Sequence, residues 1–345
     1  MNIGEQSIQW LYGKQLKVDD EWAIPTTTGF KWWADNHAQT IEILKEEIGP
    51  DGNTGYLISV RTEFLRNLDL TDDSLTLINT ALTPYASLAG PVYDDESRTL
   101  DLCSLVRVHE GNSGWMNPLI SLAVAIQIAE VGIMGSAMAE TLNVQEAISE
   151  HPDNGTRPQP DEIAEVVASL VVPTGNQPSQ WTAKEFDDVV EKYMQGPPSI
   201  LATAGGVGCT VEFPYGKHSS LCQIMGDQPH PRYGNGLFLL QSFPVGQMSD
   251  TEGTQLALSF NAKELAGNSS GYGFGSYTYR DKAIYFTSFW PNLMYKAGLL
   301  PNLYFACAWR AKEMSILLTG SDWKDDSFKL NRSPMGRLFD RFRGR

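Results

Sequence analysis

Along this chain the period of the apolar residues switches in a set order, and that order occurs twice. In the second half, Phe186, Val189, Val190 and Tyr193 recur at helical spacing between the N-cap candidate Thr182 and the stop Gly196-Pro197-Pro198. Cys209, Val211 and Phe213 then alternate with polar residues, Tyr215-Gly216-Lys217 turns the chain, and Leu221, Ile224 and Met225 continue in a second strand. Leu237 to Phe243 reads as a third strand and Ser249 to Leu265 as a capped helix closed by Gly267. Gly271 to Tyr279 and Ala283 to Trp290 read as a hairpin, and Pro301 to Met314 as a last helix. The first half runs the same way. Glu5 to Leu16 is a helix, and Trp22 to Thr26, Phe30 to Trp33 with Thr40 to Leu44, and Gly55 to Phe64 are strands. A helix capped by Thr71, a hairpin of Leu88 to Tyr93 with Leu100 to Val108, and a long apolar helix from Asn117-Pro118 follow. Duplication explains the match most economically. It predicts an α+β protein of two tandem α-β-β-β-α-β-β-α units, with antiparallel sheets and helices packed on them, joined as a pseudo-dimer.

The polar, turn-rich run His151 to Pro160 reads as a linker. It divides the chain into a first α+β domain at 1–155, a second at 156–330, and a basic amphipathic tail at 331–345.

With 345 residues, 42% of them hydrophobic, the chain can bury a sizeable core. Lys and Arg total 26 against 41 Asp and Glu, and the formal charge of -15 argues against nucleic acid and anionic membranes as partners. The N-terminus has no basic start followed by an apolar run. The most apolar segment, Met116 to Met138, is interrupted by Asn117, Gln127 and Glu130, which fits a core helix better than a membrane span. A cytoplasmic location is the expectation. Cys103, Cys209, Cys222 and Cys307 have no CxxC spacing and read as small reduced hydrophobes; Cys209 and Cys222 flank a hairpin, but a reducing compartment disfavours bonding them.

Motifs for chemistry are sparse. Gly205-Gly206-Val207-Gly208 precedes a strand and Gly271-Tyr272-Gly273-Phe274-Gly275 lies within one, both wrong contexts for a phosphate loop. Ser113 has no nucleophile elbow around it, and the five histidines lack metal-ligand spacing, so neither a metal nor a cofactor is expected. One polar group stands out: Asp227, His230, Arg232 and Tyr233, in a 226–236 loop stiffened by Pro229 and Pro231. It is either an ordered surface turn or the seat of an activity, for instance hydrolytic. Trp32, Trp33, Tyr272, Tyr277, Tyr285 and Trp290 are either core or an exposed binding face. In the tail, Arg337, Phe339, Arg341 and Phe342 suit docking on an acidic groove of the same or another copy, contact with an anionic surface, or a frayed end.

The element order, with Asn79 and Asn261 mid-helix before each closing hairpin and Pro118 and Pro301 near the start of each closing helix, resembles the type III secretion chaperone-like fold, in particular the YbjN-type bacterial families. The resemblance covers most of both halves. It implies a sheet with helices packed on it, surfaces open to partners and no known cofactor. Secretion chaperones of this fold are small dimers that hold effector segments extended along their surface, and here covalent duplication would replace the dimer. Length, linker and basic tail depart from that pattern. The leading expectation is a non-enzymatic protein that binds another polypeptide or peptide segment. The alternatives are an enzyme with its site in the 226–236 loop and a structural subunit of a larger assembly.

Overall fold

The computed structural model describes residues 1–49, 52–164, 167, 181–193, 207–267, 272–292 and 295–320. Helix starts follow local chemistry. Helix α1 (Ile3–Trp10) opens on a capping box in which the Glu5 amide donates to Asn2 Oδ1 at 2.9 Å and the Asn2 amide to Glu5 at 3.0 Å. The pairs Thr71 with Ser74 and Ser249 with Glu252 do the same for α2 (Asp72–Leu77) and for the helix Asp250–Ala266.

The first sheet contains β1 (Ala23–Pro25), β2 (Gly29–Trp33), β3 (Ala38–Ile48), β4 (Thr54–Arg66), β5 (Gly90–Asp94) and β6 (Thr99–Val108). Its inner face carries α3 (Ser113–Leu142), after which the short β7 (Gln145–Glu146) pairs with β4. Helix α4 (Ala183–Tyr193) precedes β8 (Gly208–Tyr215), β9 (His218–His230) and β10 (Gly234–Pro244). Then come α5 (Asp250–Ala266), β11 (Tyr272–Gly273), β12 (Ser276–Arg280), β13 (Ala283–Pro291) and α6 (Leu299–Thr319). The molecule is thus α+β, with two sheets whose pairings are all antiparallel. In space the five main strands run β2-β3-β4-β6-β5 in one sheet and β8-β9-β10-β13-β12 in the other.

A buried polar belt lies beneath each closing helix. Under α3, Gln39 accepts from the Trp32 indole and donates to Thr62 Oγ1 and to the Val124 carbonyl, while Gln127 reaches Ser104 and Val60. Under α6, the Gln241 amide donates to the Cys307 carbonyl at 2.8 Å and to Ser220 at 3.3 Å. Each belt fixes helix against sheet in a way apolar packing alone does not. Helix α3 has apolar residues on every side from Leu119 to Val131 because protein surrounds it there. By length and composition it is long enough to cross a bilayer, with 72% of its most apolar 18-residue window buried inside the protein.

The halves exchange backbone. Gly271 to Tyr279, expected as one strand, is divided: Tyr272 and Gly273 pair with Val106 and Leu105 of β6 in the first sheet, and Ser276 to Arg280 pair with β13 in the second. Gly275, at φ 140° and with the Thr287 carbonyl 2.3 Å from where a Cβ would stand, lets the chain cross. The reciprocal contact comes from Ser87, just before β5. Its hydroxyl donates to the Phe289 carbonyl of β13 at 2.7 Å, and its own carbonyl accepts from the Phe289 amide. Asn79 and Asn261 do not play matching parts. Asn79 exchanges bonds of 2.9 and 2.7 Å with the Tyr279 backbone, and Asn261 accepts from the Tyr277 amide at 2.7 Å, so both hold β12, one from each half.

The run expected as a linker is tied to the first sheet. His151 and Gly155 exchange backbone bonds, Arg157 donates to the Trp33 carbonyl at 2.8 Å, and the Asp161 amide donates to the Ala34 carbonyl at 2.7 Å. The main hydrophobic core draws on both halves.

Candidate functional site

The 226–236 segment is not a loop. Gly226 to His230 belong to β9 and Gly234 to Gly236 to β10, leaving only Pro231-Arg232-Tyr233 as the turn, closed by Gly234 at φ 69°. Pro229 fits in a strand because β9 has there run past β8, whose ladder stops at Met225, so one side of β9 needs no amide donor.

This turn drives its side chains into the first half. Arg232 Nη2 lies 3.0 Å from Glu130 Oε1 on α3 and 2.9 Å from the Tyr85 carbonyl, and the Tyr233 hydroxyl donates to the same Glu130 oxygen at 2.9 Å. His230 Nδ1 accepts from the Arg232 amide at 3.1 Å, so Nε2 carries the hydrogen and donates to the Tyr85 carbonyl at 3.1 Å. The imidazole ring stacks on Tyr233 and packs on Phe289. Burial raises the Glu130 carboxyl, and the guanidinium and phenol beside it pull the other way; that carboxyl in turn keeps Arg232 charged. Asp227 is not part of the cluster: it adopts φ 53° and accepts from the Asn292 amide. Of the four residues singled out in sequence, three therefore converge, on an acid from the other half of the chain.

Burial and then the Arg232 charge push the His230 imidazole down to about 4. An unfolded imidazole takes up its proton near 6.5, before the folded one does, so acidification favours the unfolded chain. Between pH 6.5 and 4 this group is expected to remove about 3 kcal/mol of stability. Glu130, raised by burial, works in the opposite sense, and Arg232 and Tyr233 complete the charged and titratable surroundings. Urea midpoints of the wild type and His230→Asn from pH 7 to 4 isolate the histidine: the wild-type curve should fall more steeply, and parallel curves would refute the assignment.

The aromatics divide differently. Trp32, Trp33, Tyr277 and Trp290 are buried, Trp33 against His151 and Tyr277 on Glu264, so they are core and present no binding stripe. Tyr272 lies in β11 and Tyr285 is half-buried on the outer face of the second sheet. Arg337, Phe339, Arg341 and Phe342 lie outside the described residues. Among the described residues no group of three His, Cys, Asp or Glu is placed to hold a metal, and all four cysteines are buried and unbonded, the Cys222 thiol beside that of Cys307.

A second feature, the outer face of the second sheet, escapes sequence reading. The ladders place Arg61 opposite Cys103 in the first sheet and Leu240 opposite Thr287 in the second; one pair along, Glu63 faces Asp101 and Ser242 faces Tyr285. The outer face of the first sheet thus carries the ion pair Arg61 with Asp101, and that of the second carries Leu240 and Tyr285. The first sheet's outer face also carries Lys31 with Glu63 at 2.7 Å and Arg107 with Glu47 at 3.3 Å. On the second, Met225 lies opposite Phe238, and both are only half-buried, while Leu221 is 38% exposed. Pro84 and Tyr85 of the first half wall this face, closing a groove of about 660 Å³ with Phe238, Leu240 and Tyr285 on its floor and Asp250, Arg280 and Asp281 at its rim. No family model, curated protein or solved structure matches the chain.

Proposed function

We propose that this protein is a non-catalytic binder of an extended polypeptide segment, built from two duplicated units of the type III secretion chaperone-like, YbjN-type kind, and that the groove on the second sheet is where the segment lies. The common strand order of the two sheets and the reciprocal backbone exchange at Ser87 and Gly273 support duplication and a pseudo-dimeric arrangement.

The observation that carries the binding function is the difference between equivalent faces. The outer face of the first sheet carries ion pairs, whereas on the second Phe238, Leu240 and Tyr285 keep apolar surface half-open in a concave setting, at about 25 cal/mol per Å² of what a ligand covers. The imidazole, guanidinium and carboxyl at the β9–β10 turn bond to one another's segments and to Tyr85, with Arg232 Nε buried and without a hydrogen-bond partner among the described residues, which supports a joining role for them.

Panning a random 15-residue peptide library against the full chain tests this. Enriched peptides are expected to lose at least about tenfold in affinity against Leu240→Asp and to bind Glu42→Ala, on the first sheet's outer face, unchanged. Absence of enrichment, or binding indifferent to Leu240→Asp in a variant with native circular dichroism, refutes the proposal.

A further inference from the structure

The end of the described chain lies at the lip of this same face. Helix α6 stops at Thr319, Gly320 caps it at φ 68°, and the last turn sits on the β8–β9 turn: the Gly216 amide donates to Ser315 Oγ at 3.0 Å, and a Cβ at Gly216 would stand 2.9 Å from Thr319 Oγ1. From that turn β9 starts outward, and Leu221 lies three residues past His218, about 10 Å along the strand. The described chain therefore ends beside the half-open apolar surface, and the 25 residues that follow in sequence have a reach of up to about 80 Å, enough to cross it and return.

Their composition matches what the face lacks. Met335, Leu338, Phe339 and Phe342 are spaced i, i+3, i+4, i+7, the spacing of a one-sided apolar ridge. Within 331–345, Arg332, Arg337, Arg341, Arg343 and Arg345 stand among them against the single Asp340, in a chain with 41 acidic residues against 26 basic. Two carboxylates, Asp250 and Asp281, rim the groove, the second paired with Arg280 at 3.3 Å.

We propose that residues 331–345 fold back onto the outer face of the second sheet of their own chain, Phe339 and Phe342 covering Leu240 and Tyr285 with arginines at the acidic rim. The tail is then a resident occupant that a foreign segment must displace. This rests on the reading of the face as a docking surface, and the test separates the two.

In full-length Tyr285→Cys/Phe339→Cys, a short bis-maleimide is expected to give an intrachain cross-link in the monomer, since the native cysteines are buried. No cross-link, or links only between chains, overturns the proposal, the latter in favour of a second copy's tail. In the full chain, Leu240→Asp is expected to speed tryptic cleavage after Arg337 and Arg341 about tenfold, and Tyr285→Arg to repeat the effect should Leu240→Asp misfold; unchanged rates overturn it. For peptides selected by panning, Phe339→Asp/Phe342→Asp is expected to tighten binding about tenfold, the gain from removing a competitor that holds the site about nine-tenths of the time. Panning success without a cross-link leaves the docking surface standing and removes the tail from it. A cross-link without panning success leaves the tail in place and removes the foreign segment.

Discussion

Replacing Arg232 by alanine is expected to lower the free energy of unfolding by about 3–5 kcal/mol, among the largest effects available from one side chain in this molecule. Glu130 is 1% exposed, and after the change its carboxyl keeps, among the described residues, the Tyr233 hydroxyl alone, while the Tyr85 carbonyl loses the Arg232 donor and keeps His230. The loss comes from stranding a buried acid, since an intact buried pair adds little over apolar groups of the same size. Glu130→Leu/Arg232→Met should therefore recover much of what Arg232→Ala removes. Urea unfolding with an unchanged slope is the measurement. A loss below about 1 kcal/mol for Arg232→Ala would mean that water reaches Glu130 and that the cluster does not join the halves.

A second buried pair, inside the second half, should respond as strongly. Arg310 of α6 is 4% exposed and grips the Glu264 carboxylate of α5 through Nε at 3.1 Å and Nη2 at 2.6 Å. Tyr277 donates to the same carboxylate, and the guanidinium carbon stands 3.4 Å over the Phe286 ring. The Glu264 charge raises the Arg310 pKa despite burial, so the group stays charged at any working pH. Arg310→Ala removes a forked ion pair and a ring contact together, for an expected loss of about 3–5 kcal/mol. Arg310→Lys should recover less than half of it, because an ammonium cannot match the fork or stack on the ring. Thermal melts of the two variants decide the point; equal melting temperatures for Arg310→Lys and wild type would show that charge alone suffices.

Helical and strand stretches were legible because the switch between helical and alternating periods is a local property, as Val189 and Val190 followed by Cys209, Val211 and Phe213 illustrate, but the strand count was not: four strands precede α2 where three were expected, and β7 and β11 are additional. Pairing is not local. Nothing near Gly271 to Tyr279 reveals that its first residues serve one sheet and its last the other, apart from the glycine that permits the crossing. The 226–236 segment was misread because Asp, Pro and Gly signal turns by composition, whereas a strand that outruns its neighbour tolerates them. His230, Arg232 and Tyr233 are neighbours in sequence and stay together in the fold, but the acid they meet is Glu130, about a hundred residues away, and not the nearby Asp227. The one available signal was a carboxylate in the middle of an apolar helix, which demands a cation from somewhere. Alternation told that the aromatics face two ways but not which way is covered, so Trp32 and Trp290 could not be separated from Tyr285. That Phe238, Leu240 and Tyr285 share a half-open face appears only once the ladders say which residues point the same way.

Ser87 holds the second sheet and Tyr272-Gly273 the first, so the halves are braided and not merely adjacent. A descendant that dropped either half would bare raw backbone on the survivor and invite it to aggregate. Such a chain is inherited whole or lost whole, and neither half is free to be traded for a different module.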